Sequence, residues 1–227
     1  MNMKPLLVGI ALAAMAAGSA HAQTDNEPPP AGTVIGSLSG LTIMNTVGTY
    51  TASFVAGSTT TNFAIAIRED PAFILISNVV VSDSANPAVN LLANGDFSGG
   101  TYTDPTYFTA QPNGWSYLNI YGAQASGSVS TCSFGSGYCY QDGSVGSYDA
   151  INQLISTIVG DTYNVSFLYT DTGGSGTYQP VANSGGLGRD LYVYAGTSVP
   201  VAAPEPASLV LLGSSLLGFS LTRRRRS

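Results

Sequence analysis

Apolar and polar residues alternate with a period of two in several separate stretches of this chain, and no segment between Gln23 and Ala203 sustains apolar residues at helical spacing for three turns. Tyr50, Ala52 and Phe54 alternate with Thr51, Ser53 and Val55, and Phe63, Ile65 and Ile67 alternate with Asn62, Ala64 and Ala66, so each stretch predicts a strand. Gly57 to Thr61, between them, predicts a hairpin loop. Phe73 to Val81 is rich in β-branched residues and long enough for a buried strand, which Ser82 to Pro87 closes. Tyr148 to Ile158 predicts another strand, Val159-Gly160-Asp161 a tight turn, and Tyr163, Val165, Phe167 and Tyr169 a returning strand with one apolar face. After the long Gly/Ser-rich loop from Gly173 to Gly188, Leu191 and Val193 alternate with Tyr192 and Tyr194 in a last strand. Asn94-Gly95 and Pro112-Asn113-Gly114 mark turns, with Phe97 and Trp115 as large apolar anchors for a core. Strands joined by many turns predict an all-β chain, and the stretch from 33 to 199 is long enough for one β-sandwich.

Both ends of the chain break this pattern. At the N-terminus, Lys4 precedes the apolar run Leu6 to Ala17, and Ala20-His21-Ala22 is a small-residue cleavage site, so residues 1–22 predict a helical signal peptide with a mature start at Gln23. Residues 23–32, with Pro28-Pro29-Pro30, then predict an extended leader. At the C-terminus, residues 200–227 contain Pro204-Glu205-Pro206, the apolar run Ala207 to Thr222 and the block Arg223, Arg224, Arg225 and Arg226. Two prolines keep the backbone extended, the apolar run favours hydrocarbon as a helix, and the arginines hold the terminus on the cytoplasmic side. At about 1.5 Å per residue the run spans roughly 24 Å against a hydrocarbon core of about 30 Å, a marginal span.

This order of parts closely resembles the PEP-CTERM sorting signal of bacteria. The resemblance implies an exosortase-type membrane protease and the secretion machinery as partners. It also implies cleavage near Pro204 to Pro206, transient anchoring in the inner membrane, and delivery to the cell envelope or an extracellular matrix. A plain C-terminal membrane helix is the alternative reading of the same residues.

With both signals removed, the exported part keeps two basic residues, Arg68 and Arg189, against twelve acidic ones, a formal net charge of −10. Such a domain repels phosphate backbones and anionic headgroups, which argues against nucleic acid as a partner and against peripheral membrane docking. The single histidine, His21, leaves with the signal peptide, so Ser-His-Asp and Cys-His catalysis and His-based zinc sites are excluded from the mature chain. Cys132 and Cys139 flank a turn-rich segment in an oxidising compartment and predict a local disulfide.

Asn90-Leu91-Leu92-Ala93-Asn94-Gly95-Asp96-Phe97, Gly114-Trp115, Gln153-x-Ile155 and Gly160-x-Thr162-Tyr163-x-Val165-x-Phe167 look like the opening half of galactose-binding-like, carbohydrate-module-type jelly rolls. Tyr50 to Val81, with Arg68-Glu69-Asp70-Pro71 leading into its last strand, looks like the closing half. The closing half (33–84) precedes the opening half (89–199), which implies one circularly permuted jelly roll, since sandwich termini often lie close together. Two small β-domains replace that reading if Tyr50 to Val81 shares no sheet and no core with Leu91 to Tyr194.

Trp115, Tyr117 and Tyr121, with Tyr102, Tyr107, Tyr138 and Tyr140, are candidates for an aromatic platform on which a polysaccharide would stack; equally, they are residues that pack a sandwich face. Asp96, Asp142, Asp149 and Asp190 lie near strand ends, where such jelly rolls hold a structural Ca²⁺, with Asp96 and Asp190 as the metal candidates; solvated turn carboxylates account for them too. No other cofactor is implied. Glu69-Asp70, the adjacent acidic pair, reads as a loop-fixing ion pair with Arg68 rather than an acid and a nucleophile. The leading expectation is a non-enzymatic exported module that binds polysaccharide, with a secreted carboxylate-dependent glycoside hydrolase as the alternative.

Overall fold

The computed structural model describes residues 29–39, 46–69, 73–104, 109–120, 127–144, 147–172 and 189–202, and these form twelve strands. The signal segment 1–22, Tyr107, Tyr121 and the sorting tail from Pro204 to Arg226 lie outside the described residues. Among the described residues no helix is long and apolar enough to cross a membrane.

One antiparallel sheet, the first, has the order β1 (Val34–Ser39), β12 (Arg189–Gly196), β3 (Thr60–Glu69), β10 (Asp149–Ser156) and β7 (Ser116–Asn119). The second has the order β2 (Gly48–Val55), β11 (Thr162–Asp171), β4 (Ile74–Asp83), β9 (Tyr138–Asp142) and β8 (Ser128–Thr131). A small ribbon pairs β5 (Thr101–Thr103) with β6 (Ala110–Pro112). The sandwich expected from the alternation is therefore present. Tyr50 to Val81 supplies strands to both sheets, where β3 lies between β12 and β10, and β4 lies between β11 and β9. The early and late segments thus share both sheets and one core, as a single sandwich requires.

The core forms where the apolar faces of the two sheets meet. Phe63, Ile65 and Ile67 of β3 and Ile151 and Ile155 of β10 face Tyr163, Val165 and Phe167 of β11. In β4 the inward set runs Ile74 and Ile76, then Val79 and Val81, a change of parity that an alternating strand forbids. A bulge resolves it: Asn78 sits at φ 53°, and the register against β11 shifts between Ser166 and Leu168.

One local expectation is corrected. Gly57 to Thr61 is no hairpin loop, because β2 pairs with β11 and β3 pairs with β12 and β10, so the segment crosses from one sheet to the other. Asp70, of the Glu69-Asp70 pair read beside Arg68, lies outside the described residues, while Arg68 and Glu69 both belong to β3. The strand continues through both, and its alternation sends Glu69 inward and Arg68 to the outer face, where Arg68 lies 3.8 Å from Asp190 and over the Tyr148 ring.

Candidate functional site

Register alone predicts an acidic end to the core. Ile74 is the Cα partner of both Asp142 and Asp171, and Ile67 is the partner of Asp149, so these carboxyls point the same way as two core isoleucines. Glu69, two residues beyond Ile67, follows the same face. Four strands thus each end their inward-facing series on an acid at one end of the sandwich, and all four side chains are buried.

Asp142 and Asp149 are both 0% exposed and act on each other electrostatically. Burial drives each carboxyl above the usual carboxylate range, and for Asp149 the charge of Asp142 adds to the rise. Two buried carboxyls raised in this way favour a proton retained between them. Around the pair, the backbone N–H of Ser144 donates to Asp142 Oδ1 at 2.9 Å and the Tyr117 hydroxyl donates to Asp149 Oδ2 at 2.7 Å. Asp142 Oδ2 and Asp149 Oδ1 meet no further donor in good geometry, and the retained proton supplies one. Burial, followed by the charges of Asp142 and Asp149, also raises the Tyr140 phenol well above its ordinary value. Gly127 makes the close packing feasible, since a Cβ there would meet the Tyr140 hydroxyl and lie 2.8 Å from Asp142 Oδ2.

Two carboxyls sharing a proton are the raw material of acid–base catalysis. Here both are closed off from solvent. Cavities among the described residues include one of about 310 Å³ beside the disulfide loop, bordered by Phe134 and Asp171, one of about 230 Å³ between Asn86, Val89, Ile158 and Tyr163, and one of about 230 Å³ bordered by Val55, Ser58 and Ala195; Asp142 and Asp149 line none of the three.

The other singled-out residues are dispersed. Trp115 is 3% exposed, packed against Phe97 and Phe63 with its Nε1 donating to the Asn94 carbonyl at 3.1 Å, so its ring faces are covered and it is a core residue rather than a sugar platform. Phe97 beside it adopts φ 62°, an unfavourable backbone for a bulky residue that its burial between Trp115 and Tyr140 sustains. Tyr117 is half-buried and committed to Asp149. Tyr140 is buried, and Tyr102 and Tyr138 remain exposed.

Asp96 and Asp190 are not brought together. Asp96 accepts from the Ser98 hydroxyl at 2.7 Å and its backbone carbonyl accepts from Ser136 beside the disulfide loop; Asp190 stands on the outer face of the first sheet, accepting from Tyr148 at 3.1 Å near Arg68. A guanidinium beside Asp190 opposes a bound cation, and among the described residues no group of three or more His, Cys, Asp or Glu side chains could hold a metal. These residues do not fit a calcium site. Cys132 and Cys139 are disulfide-bonded, with Cα atoms 5.9 Å apart.

The strand β12, from which the tail continues, is held in place on both sides. Its neighbours are β1 and β3, and beyond it Val201 exchanges backbone hydrogen bonds of 2.8 and 3.0 Å with Ala31 of the leader. Tyr194 donates to the Pro30 carbonyl at 2.8 Å, and Ala202 packs on the outer apolar cluster of Ala64, Ala66, Tyr148, Ala150 and Tyr194. The leader and the start of the tail are thus stapled side by side on the first sheet. Residues 202–226, beginning at that staple, match the PEP-CTERM protein-sorting motif. The chain is accordingly an exported protein, one that its tail anchors in the membrane until an exosortase processes it. No curated protein and no solved structure matches the chain, so the galactose-binding-like resemblance gains no support from those comparisons.

Proposed function

We propose that the sandwich is a non-catalytic module delivered to the cell envelope or an extracellular matrix, with polysaccharide as its ligand class. The observation that carries the non-catalytic reading is the closure of the Asp142 and Asp149 pair: an acid and base for glycosidic cleavage must reach a sugar, and both carboxyls are 0% exposed. Mature-chain acidity, with Arg68 already engaged by Asp190, favours a neutral rather than an acidic polysaccharide. Exposed Tyr102 and Tyr138, among neighbouring Ser, Thr and Gly, offer aromatic faces and uncharged hydrogen-bonding groups of the kind that sugar rings take up. A glycan array with the mature protein, followed by a reducing-end assay on any glycan retained, tests both parts. Retention without release of reducing ends supports the module, and release of reducing ends defeats it.

A further inference from the structure

We propose that, before processing, one particular end of the sandwich rests in the lipid interface of the membrane that holds the tail, presenting Val55, Val89, Ile158 and Val159 to the bilayer. The inference rests on the reading of the tail as a membrane-inserted sorting signal, and adds the surface that faces the lipid.

Tether length comes first. Ala202 is packed on the sandwich, and the apolar run starts at Ala207. Five residues reach at most about 18 Å, and part of that is consumed in crossing the headgroups. A globular body of this size has a radius of gyration of about 16 Å. The tether is no longer than the body it holds, so some face of the sandwich must lie at the interface.

Which face follows from where exposed apolar side chains sit. The strand ends next to the staple are those of β2, β10 and β12 and the starts of β3 and β11, as Gly196 pairs with Asn62, Ser156 with Thr60 and Thr162 with Val55. At this end Val55 is 65%, Ile158 61% and Val159 59% exposed, and Val89 and Leu154 are exposed as well. Among the described residues, Glu69, Asp142, Asp149 and Asp171 at the opposite end are buried and Asp190 there lies beside Arg68, whereas Asp83 and Asp161 at this end are half-buried, so charge does not choose between the two ends. A tethered domain turns the end that displays the most apolar side chains toward the bilayer. Charge opposes docking of the free domain, but tethering removes the cost of encounter and leaves orientation to be decided.

The loop tips are also built to tolerate a low-polarity setting, where unsatisfied backbone groups are costly. The Tyr163 hydroxyl accepts from the Ile158 N–H at 2.8 Å, the Gly160 N–H donates to the Ala56 carbonyl at 2.8 Å, and the Ala56 N–H donates to the Asp161 carbonyl at 3.0 Å. Gly160 holds the turn at φ 90°, a conformation that leaves the apolar side chains of Ile158 and Val159 displayed rather than folded back.

The test uses the full mature chain with its tail, reconstituted into vesicles of phosphatidylcholine and phosphatidylglycerol. An environment-sensitive fluorophore is placed in turn at Val159→Cys, at Val47→Cys on the acidic end, and at Leu212→Cys within the tail. Spin-labelled lipids should quench the label at 159 from shallow positions and the label at 212 from deep ones, and leave the label at 47 unquenched. A label at 159 as wet as that at 47, with 212 still quenched, overturns this inference and leaves the sorting tail standing. Loss of quenching at 212 overturns both. Quenching at 159 that appears only when the processing protease is present assigns the surface to the protease and overturns the lipid contact. The combined Val55→Asp, Ile158→Asp and Val159→Asp variant, altered only at exposed tips, should lose quenching at a label on Val89→Cys while keeping the wild-type circular dichroism.

Discussion

The hydroxyl of Tyr117 donates a 2.7 Å hydrogen bond to Oδ2 of Asp149, so a residue with the look of a sugar platform is spent on steadying a buried acid. The relationship ties the edge strand β7 to the acidic end of the core, since Tyr117 pairs in register with Ile151 and reaches diagonally to the residue two before it. Removing the hydroxyl by Tyr117→Phe leaves a buried acceptor without its donor, and we expect a loss of about 1 to 3 kcal/mol in denaturant unfolding. A stability equal to wild type would mean that the bond contributes nothing.

The proton held by Asp142 and Asp149 gives stability a definite pH sign. Both carboxyls are raised in the folded protein, so above the ordinary carboxylate value of about 3.9 the folded state binds a proton that the unfolded chain has released. Stability from this source is fully present below that value and falls as pH rises through the folded pKa. Inside the window each pH unit costs about 1.4 kcal/mol per proton. Asp96 acts in the other direction: the Ser98 hydroxyl lowers its pKa, so its small contribution is lost only as pH falls below the ordinary carboxylate range. We therefore expect a higher Tm at pH 5 than at pH 7.5, and a flatter profile in Asp149→Asn, whose amide supplies a donor that does not titrate. A Tm that rises from pH 5 to 7.5 in the wild type would contradict the shared proton.

The long strands were legible because both of their faces obey one rule. Tyr50, Phe54, Phe63, Ile65, Ile67, Tyr163, Val165 and Phe167 alternate without interruption and all join the core. Partners were not legible. Gly57 to Thr61 has the composition of a hairpin loop, but a turn-rich segment joins strands of one sheet or of two with the same residues, and only the distant β10, β11 and β12 decide which. The acidic pair carried a local signal that went unread as a pair. Asp142 follows Tyr140 by two residues and Asp149 precedes Ile151 by two, so each occupies the next place on an apolar face, where a solvated turn carboxylate has no reason to be. What the chain order withheld was that the two faces meet.

Trp115 and the exposed tyrosines should respond oppositely to truncation. Trp115→Ala removes a buried indole between Phe63 and Phe97 and one of the two donors to the Asn94 carbonyl, so a loss of about 3 to 5 kcal/mol is expected in thermal or denaturant unfolding. Tyr102→Ala and Tyr138→Ala should each stay within about 1 kcal/mol of wild type, since both rings are exposed, while lowering retention on any polysaccharide the protein binds. Retention untouched in the double variant would remove these rings from the ligand surface.

The disulfide between Cys132 and Cys139 closes a short ring, so its effect on the unfolded chain is modest, about 2 kcal/mol. The ring nonetheless sits on a structured support. Cys139 is fully buried, Gly135 and Gly137 take positive φ within the loop, and Ser136 donates to the Asp96 carbonyl at 2.7 Å. Cys132→Ser with Cys139→Ser should lower Tm by several degrees and leave the far-ultraviolet spectrum unchanged, because neither sheet depends on the crosslink for its register. A collapse of the whole sandwich on reduction would show that the loop organises the second sheet.

Processing of the tail should depend on two features that act at different depths. In sequence, Glu205 lies between two prolines just before the apolar run, and Arg223 to Arg226 directly follow that run. The sandwich holds Ala202 through the Ala31 and Val201 staple, two residues before Pro204. Replacing the four arginines with serines should let the tail slide or release, and reduce the anchored precursor. Glu205→Gln should leave the precursor anchored but uncleaved, accumulating in the inner membrane at the expense of the released form. Immunoblots of membrane and released fractions separate the two outcomes by size and location. Wild-type release by Glu205→Gln would show that the carboxylate is not read by the protease, and release by the arginine variant at wild-type levels would show that anchoring does not require the cationic end.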